Sequence, residues 1–323
     1  MSLSDIKGQE RAVEILRRSV QQERIAHAYL FLGPSGTGKK KTALEFAKLL
    51  NCESSGSDSC GHCSSCIKIE KSIHPDVSVI FKDANLSFIP IDKIRDIQRR
   101  IALKAFEAKY KIAIIADAED MSEEASNCLL KVLEEPTPDT LLILTISSQR
   151  RIPATVISRC QIIRFRPLTI DEVNNILIKD FSIEEKEAKF LSALSGASIS
   201  KALILKDKDA LLWKNLVIDE FNSYRSRLGS IEDSVLSNER KIHMEAMDIL
   251  IGFYRDVLVY KFVKDDNMII NIDRIKDIED LAERAEAEKI SEAIKDIEEA
   301  RSSISSNANL KLAISVLKEN LAF

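Results

Sequence analysis

The sequence is poor in chain breakers, has no long apolar run and carries no excess of positive charge. Nine glycines and seven prolines in 323 residues leave little of the chain for turns, which favours helix. No uninterrupted apolar stretch approaches the roughly 20 residues that a membrane helix needs. Residues Met1–Lys7 are polar and lack the apolar region of a secretory signal. The protein is therefore expected in the cytoplasm, with no membrane partner. A formal net charge of −4 excludes a protein that is basic all over, so any nucleic acid is met through a local patch or through partners. A reducing compartment also disfavours disulfides, so clustered cysteines point to metal.

What is present supports a large folded chain. Hydrophobic residues make up 45% and charged residues 30%, enough for a sizeable core and a solvated surface, and the length suggests two or three domains. Val13, Leu16 and Val20 mark an amphipathic helix over 9–22. Tyr29–Leu32 reads as a buried strand ending in a Gly-rich turn, with a helix over 39–50 after it. Four further apolar runs follow: Val77–Phe81, Ile112–Ala116, Leu141–Ile146 and Ile162–Phe165. Helical patterns lie between most of them, through Ile94, Ile97 and Ile101 and through Leu129, Leu130 and Leu133. This alternation predicts a parallel sheet of five strands covered by helices. After Pro167 the strand signal stops. Short helices broken near Gly196 are expected over 169–207, then helix to the end with Leu310, Ile314, Leu317 and Leu321 on one stripe. Boundaries fall near 168 and 208, and Ser54–Ser59 reads as a loop.

The segment Gly33-Pro34-Ser35-Gly36-Thr37-Gly38-Lys39-Lys40 joins a predicted strand to a predicted helix, the context of a Walker A loop. Gly33, Gly36 and Gly38 allow backbone N–H groups to close around phosphate, the helix start adds positive partial charge, and Lys39 reaches the outer phosphates. The last position departs from the motif. A Ser or Thr hydroxyl should ligate Mg²⁺ there, and Lys40 cannot. Thr42 lies on another face of the helix. The strand Ile112–Ala116 precedes a single acid, Asp117, where an active site needs two carboxylates in a row. Asp117 can serve as the metal acid; loss of both metal contacts is the reading that Lys40 independently favours.

Cys52, Cys60, Cys63 and Cys66 follow the spacing C-x₇-C-x₂-C-x₂-C. Four thiolates so close together fit a closed tetrahedral Zn²⁺ site, structural because no coordination position stays open. The module spans about 51–67. His62 and His74 are expected at the surface and Cys128 in the core.

These motifs resemble the bacterial DNA polymerase III clamp-loader family along nearly the whole chain, its delta-prime subunits above all. The resemblance rests on Gly8-Gln9-Glu10, Ala26–Phe31, Gly33–Lys39, the cysteine module, Asn127–Pro136 with its Glu134-Glu135-Pro136, Ser158-Arg159-Cys160 and Asn307–Leu310. It implies an α/β AAA+ P-loop module with an inserted zinc module over 1–168, a helical lid over 169–208 and an all-α oligomerisation collar over 209–323. It further implies a subunit of a loader that places a sliding clamp on primed DNA, as part of a DNA polymerase holoenzyme. The implied partners are motor subunits, the delta subunit, the clamp and primer-template DNA. Against that family, Lys40 takes the metal hydroxyl position and Ala116 the Walker B metal acid, with Asp117 at the water-orienting position. Both departures fit a stator that does not hydrolyse ATP, although ATP or ADP can still occupy the loop.

Within this resemblance Arg159 is an arginine finger offered in trans to a neighbouring motor, since a planar guanidinium suits phosphate charge. A lone arginine there is otherwise a surface or salt-bridge residue. Lys201 stands where the family often has a phosphate-sensing arginine, and a solvated face fits it equally. Residues 93–111 carry seven basic side chains against two acidic ones, a helix able either to track DNA phosphates or simply to face solvent. Two other functions compete with the stator: an ATP-hydrolysing motor of the gamma/tau type, and a zinc-bearing adaptor that uses the fold only as a scaffold.

Overall fold

The computed structural model describes the whole chain except residues 1, 55, 84, 85, 87, 150, 151, 226–239, 266, 267, 307, 322 and 323. Asn307 of the expected C-terminal signature and Ser55 of the expected serine loop thus lie outside the described residues.

The apolar runs become strands β1 (Ala28–Leu32), β2 (Val77–Ile80), β3 (Lys111–Ile115), β4 (Thr140–Ile146) and β5 (Gln161–Arg164). All pair in parallel, in the order β2-β3-β4-β1-β5. Strands β3 and β4 are buried at every position, which is why they read as continuous apolar runs. Side chains alternate between two cores. Tyr29, Phe31, Ile112 and Ile114 face helices α1 (Glu10–Gln21) and α2 (Lys39–Asn51), through Leu16, Phe46 and Leu50. After the short α3 (Ser64–Glu70) come α4 (Ile91–Ala102) and α5 (Glu123–Glu134). They cover the other face with Ile94, Ile97, Ile101, Leu129 and Leu133 against Leu30, Ala113 and Leu142. Ser122 caps α5 by accepting the Ala125 N–H at 3.1 Å, and Pro136 follows its end. A one-turn helix, α6 (Ala154–Ile157), precedes β5.

The basic stretch 93–111 is not one helix. α4 stops at Ala102, and Lys111 opens β3. Lys111 is buried and donates to the carbonyls of Ile101 and Leu103, the latter at 2.8 Å, so its charge serves the end of α4 rather than a surface.

The chain divides into two compact units: Met1–Glu172 with Ala197–Ser200, and Val173–Gly196 with Lys201–Phe323. The expected helices after Pro167 are α7 (Ile170–Phe181), α8 (Glu185–Leu194) and α9 (Ile199–Asp207). They are followed by α10 (Ala210–Arg225), α11 (Arg240–Val263), α12 (Ile275–Arg284), α13 (Ala287–Ser305) and α14 (Leu310–Asn320). The second unit's core packs Leu250, Phe253 and Val257 of α11 against Leu281, Ile297 and Leu317. The predicted C-terminal stripe is real: Ile314, Leu317 and Leu321 are buried, with Leu310 packed beside them. Among the described residues, no single helix is long and apolar enough to cross a membrane.

Candidate functional site

The turn after β1 is built on glycines. Gly36 and Gly38 sit at φ 79° and 88°, a left-handed region that disfavours side chains. A Cβ on Gly36 would lie 2.1 Å from Ser198 Oγ, and one on Gly33 would lie 2.4 Å from the Phe165 carbonyl. Lys39 is buried at the first position of α2 and donates to the carbonyls of Gly33 at 2.6 Å and Pro34 at 2.7 Å. Thr37 Oγ1 donates to the same Pro34 carbonyl at 2.9 Å. Burial lowers the Lys39 pKa, while the nearby charges of Asp117 and Glu119 oppose the shift. The fold thus brings Gly33, Gly36, Gly38, Lys39 and Asp117 to one place.

The metal side of the site is a different matter. The Lys40 side chain is exposed and lies over the Phe81 ring, 4.9 Å from its centroid. The buried Thr42 hydroxyl donates along the helix to the Gly38 carbonyl at 3.0 Å. Asp117 is held in the left-handed region at φ 50°, its N–H bound to Thr145 Oγ1 at 3.0 Å. One Glu119 oxygen accepts the Ser147 N–H at 2.7 Å; the other is buried without a hydrogen-bond partner. Glu119 escaped the sequence reading because it sits two residues beyond the strand-end acid, on the tight turn Ala118–Asp120. The donors suit an anion, with Lys39 and the start of α2 supplying positive charge, but no hydroxyl stands where Mg²⁺ needs one.

The four cysteines converge. Their sulfurs all lie within 4.8 Å of one another. Cys52 ends α2, and Cys63 caps α3 by accepting the Cys66 N–H on its sulfur at 3.4 Å. Cys52 and Cys60 sulfurs accept N–H groups in turn, from Cys60 at 3.4 Å and Cys63 at 3.3 Å. The N–H groups of His62 and Cys63 bring the Cys60 thiol down to about 6, whereas burial pushes Cys66 up. Four sulfurs at this spread, with N–H donors that stabilise thiolates, fit a closed Zn²⁺ centre.

Asp58 ties this module to the start of the chain. Its carboxylate accepts from the N–H groups of Leu3 and Ser4, both at 3.0 Å, and pairs with Arg17 at 2.6 Å. His62 is exposed as expected, but His74 is not. It is buried, and its Nδ1 accepts the Asp76 N–H at 3.1 Å. Asp76 in turn receives three consecutive N–H groups, from Phe106, Glu107 and Ala108, at 2.8, 2.8 and 2.9 Å. No local pattern announces these two aspartates, because their partners lie some 30 to 55 positions away. Cys128 is half-buried at the edge of the α4–α5 core, and its thiol faces Gln98 Oε1 at 3.3 Å.

Arg159 lies between α6 and β5, about one-third exposed. Its guanidinium meets Glu134 Oε1 at 2.8 Å and the Thr155 carbonyl at 3.0 Å. The following Cys160 is pushed up to about 12 by burial. Arg159 therefore stands apart from the phosphate loop, beside the end of α5.

Comparison with known proteins adds the following. The profile of the family described as "DNA polymerase III, delta subunit" matches residues 8–169, and that of its C-terminal part matches residues 217–317. The chain is 31% identical over 310 residues to DNA polymerase III subunit delta' of Bacillus subtilis, covering 94% of this chain and 93% of that protein. It is also 31% identical over 285 residues to subunit tau of the same organism, covering 80% of this chain and 50% of tau. Among solved structures, a DNA polymerase III gamma subunit-related protein from Thermotoga maritima aligns at 17% identity and a TM-score of 0.41, covering 96% of this chain and 98% of that one.

Proposed function

Since this chain belongs to the DNA polymerase III clamp-loader family, we propose that it is the loader's non-hydrolysing stator, of the delta-prime type. In this reading it assists ATP-dependent loading of the sliding clamp onto primed DNA and offers Arg159 in trans to an adjacent motor subunit. The observation that carries it is the loss of the metal side of the phosphate site. Lys40 turns onto Phe81, Ala116 has no carboxylate, and the Thr42 hydroxyl is committed to Gly38. The loop retains an anion cradle in which ADP or ATP can sit through Gly33, Gly36, Gly38 and Lys39. Mg²⁺-dependent hydrolysis lacks its ligands.

The same reading divides the chain into an AAA+ module over 1–168, a lid over 169–208 and a collar over 209–323. It assigns one structural Zn²⁺ to Cys52, Cys60, Cys63 and Cys66. Its partners are motor subunits and delta, with the clamp and primer-template DNA reached through the assembly, in the cytoplasm. Removing residues 209–323 should abolish assembly, and retained co-elution with partner subunits would count against the collar.

A motor of the gamma/tau type is the alternative, supported by the equal 31% identity to tau and by Glu119 beside Lys39. Steady-state ATPase of the purified chain separates the two. The stator shows no turnover above background, whereas turnover that disappears in Lys39→Ala identifies a motor.

A further inference from the structure

Strand β2 closes one side of the sheet and, among the described residues, pairs with β3 alone. Two bonds set its alternation: the Asp76 carbonyl accepts the Ile112 N–H at 2.9 Å, and the Ile80 carbonyl accepts the Ala116 N–H at 2.8 Å. Residues 76, 78 and 80 therefore turn their peptide groups toward β3, and 77, 79 and 81 turn theirs outward. At the ends of the outward row, the Val77 N–H is bound by the His74 carbonyl at 3.3 Å and the Phe81 carbonyl by Lys93 Nζ at 3.2 Å. Between them, the N–H and carbonyl of Val79 bond to no other described residue.

A groove of about 560 Å³ runs along this edge. Lys40 and Leu44 of α2 form one wall, and Lys93, Ile97 and Arg100 of α4 form the other. Exposed Ile73 and Phe81 stand at its two ends. Lys93 already pairs with Asp83 at 2.7 Å, and the one carboxylate in the groove lining, Asp96, pairs with Arg99 at 3.2 Å. Lys40 has no ion-pair partner among the described residues, and Arg100 reaches only Ser78 Oγ, at 3.4 Å.

We propose that the β2 edge is a docking site for an extended, acidic segment of a partner protein, which adds to the sheet as a further strand. The reasoning is independent of the clamp-loading reading. Val79 presents a donor and an acceptor on one peptide edge. A peptide backbone satisfies both at once, whereas a phosphodiester, which only accepts, leaves the carbonyl unmet. Alternate apolar side chains of the guest lie against Leu44 and the exposed Phe81, and its carboxylates meet Lys40 and Arg100. The opposing idea is that the cations merely guard a short edge against chance pairing.

The full chain is titrated with a fluorescein-labelled peptide alternating valine and glutamate. Comparators are its valine–lysine counterpart, a version N-methylated on the backbone, and a single-stranded thymidine oligonucleotide. Anisotropy reads binding, and amide hydrogen exchange reads the strand. The expected result is that the valine–glutamate peptide binds at least about tenfold tighter than all three comparators and slows exchange at Val79. Arg100→Glu, checked for folding by circular dichroism, weakens that binding by about tenfold. Absent binding, equal binding of the N-methylated or lysine peptide, or unchanged exchange at Val79 would overturn the proposal. An oligonucleotide that binds as tightly would assign the groove to nucleic acid instead.

Discussion

The guanidinium of Arg159 is held within its own chain by the carboxylate of Glu134, at 2.8 Å. The pair links Glu134-Glu135-Pro136 at the end of α5 with Ser158-Arg159-Cys160 before β5. Half-exposed ion pairs of this kind are worth only about 0–1 kcal/mol. An arginine so lightly held can exchange its carboxylate for a phosphate at small cost.

Arg159→Ala should therefore leave thermal stability nearly unchanged, yet lower the clamp- and DNA-stimulated ATPase of a reconstituted loader. In a multi-site loader whose other interfaces keep their own arginines, the loss in total turnover should be smaller than the roughly 10³–10⁵ that a single finger can contribute. Arg159→Lys should rescue poorly for want of a bidentate fork. A loader carrying Arg159→Ala with wild-type turnover and loading rates would reduce Arg159 to a surface residue.

Protein purified without chelator should carry one zinc per chain by elemental analysis. Cys63→Ser removes both a ligand and the sulfur that caps α3. It should release the metal and expose the module to protease while leaving the α11–α14 core intact. Zinc retained at full stoichiometry in Cys63→Ser would exclude this ligand set.

Asp76 gives stability a pH dependence. Burial alone would raise its pKa, but the N–H groups of Glu107, Phe106 and Ala108 outweigh that and hold it below the ordinary value. Because the folded pKa is depressed, its contribution is complete above the unfolded value of about 4 and is lost as the pH falls from there toward the folded pKa. Asp76→Asn should cost about 1–3 kcal/mol in urea melts at neutral pH. The gap from wild type should narrow below about pH 4. A gap that does not depend on pH would mean that packing, not charge, sets the cost.

In the second unit, the Lys214 side chain is fully buried, bound to Asp273 at 2.6 and 2.7 Å and lying 4.6 Å from the Phe190 ring centroid. Lys214→Ala strands a carboxylate and should destabilise by about 3–5 kcal/mol. The double variant Lys214→Met with Asp273→Asn should recover part of that loss, since no charge is left alone. Urea melts of the single and double variants decide it, and a double variant no better than the single would place the cost in shape rather than charge.

How much of this was legible in the sequence depended on range. Strands, covering helices and the C-terminal stripe follow from local periodicity, and burial of Ile94, Ile97, Ile101, Ile314 and Leu317 agrees with it. The phosphate loop and the cysteine set are short, rigid patterns, so their geometry was readable too. Lys111 and His74 misled because both look like surface residues in isolation. Each is buried beside polar groups that the fold supplies, the carbonyls of Ile101 and Leu103 in one case and the Glu107 carboxylate, 3.7 Å from Nε2, in the other. The Arg159–Glu134 pair joins residues that no helical or strand repeat relates.

The close approach of Gly36 to Ser198 has a bearing on descent. A side chain at position 36 would crowd Ser198 and the Ile199 N–H and sit on a left-handed backbone, whether or not a nucleotide is present. Purifying selection on shape alone is then sufficient to keep the glycine. An intact-looking loop is therefore no evidence, by itself, that hydrolysis has been kept.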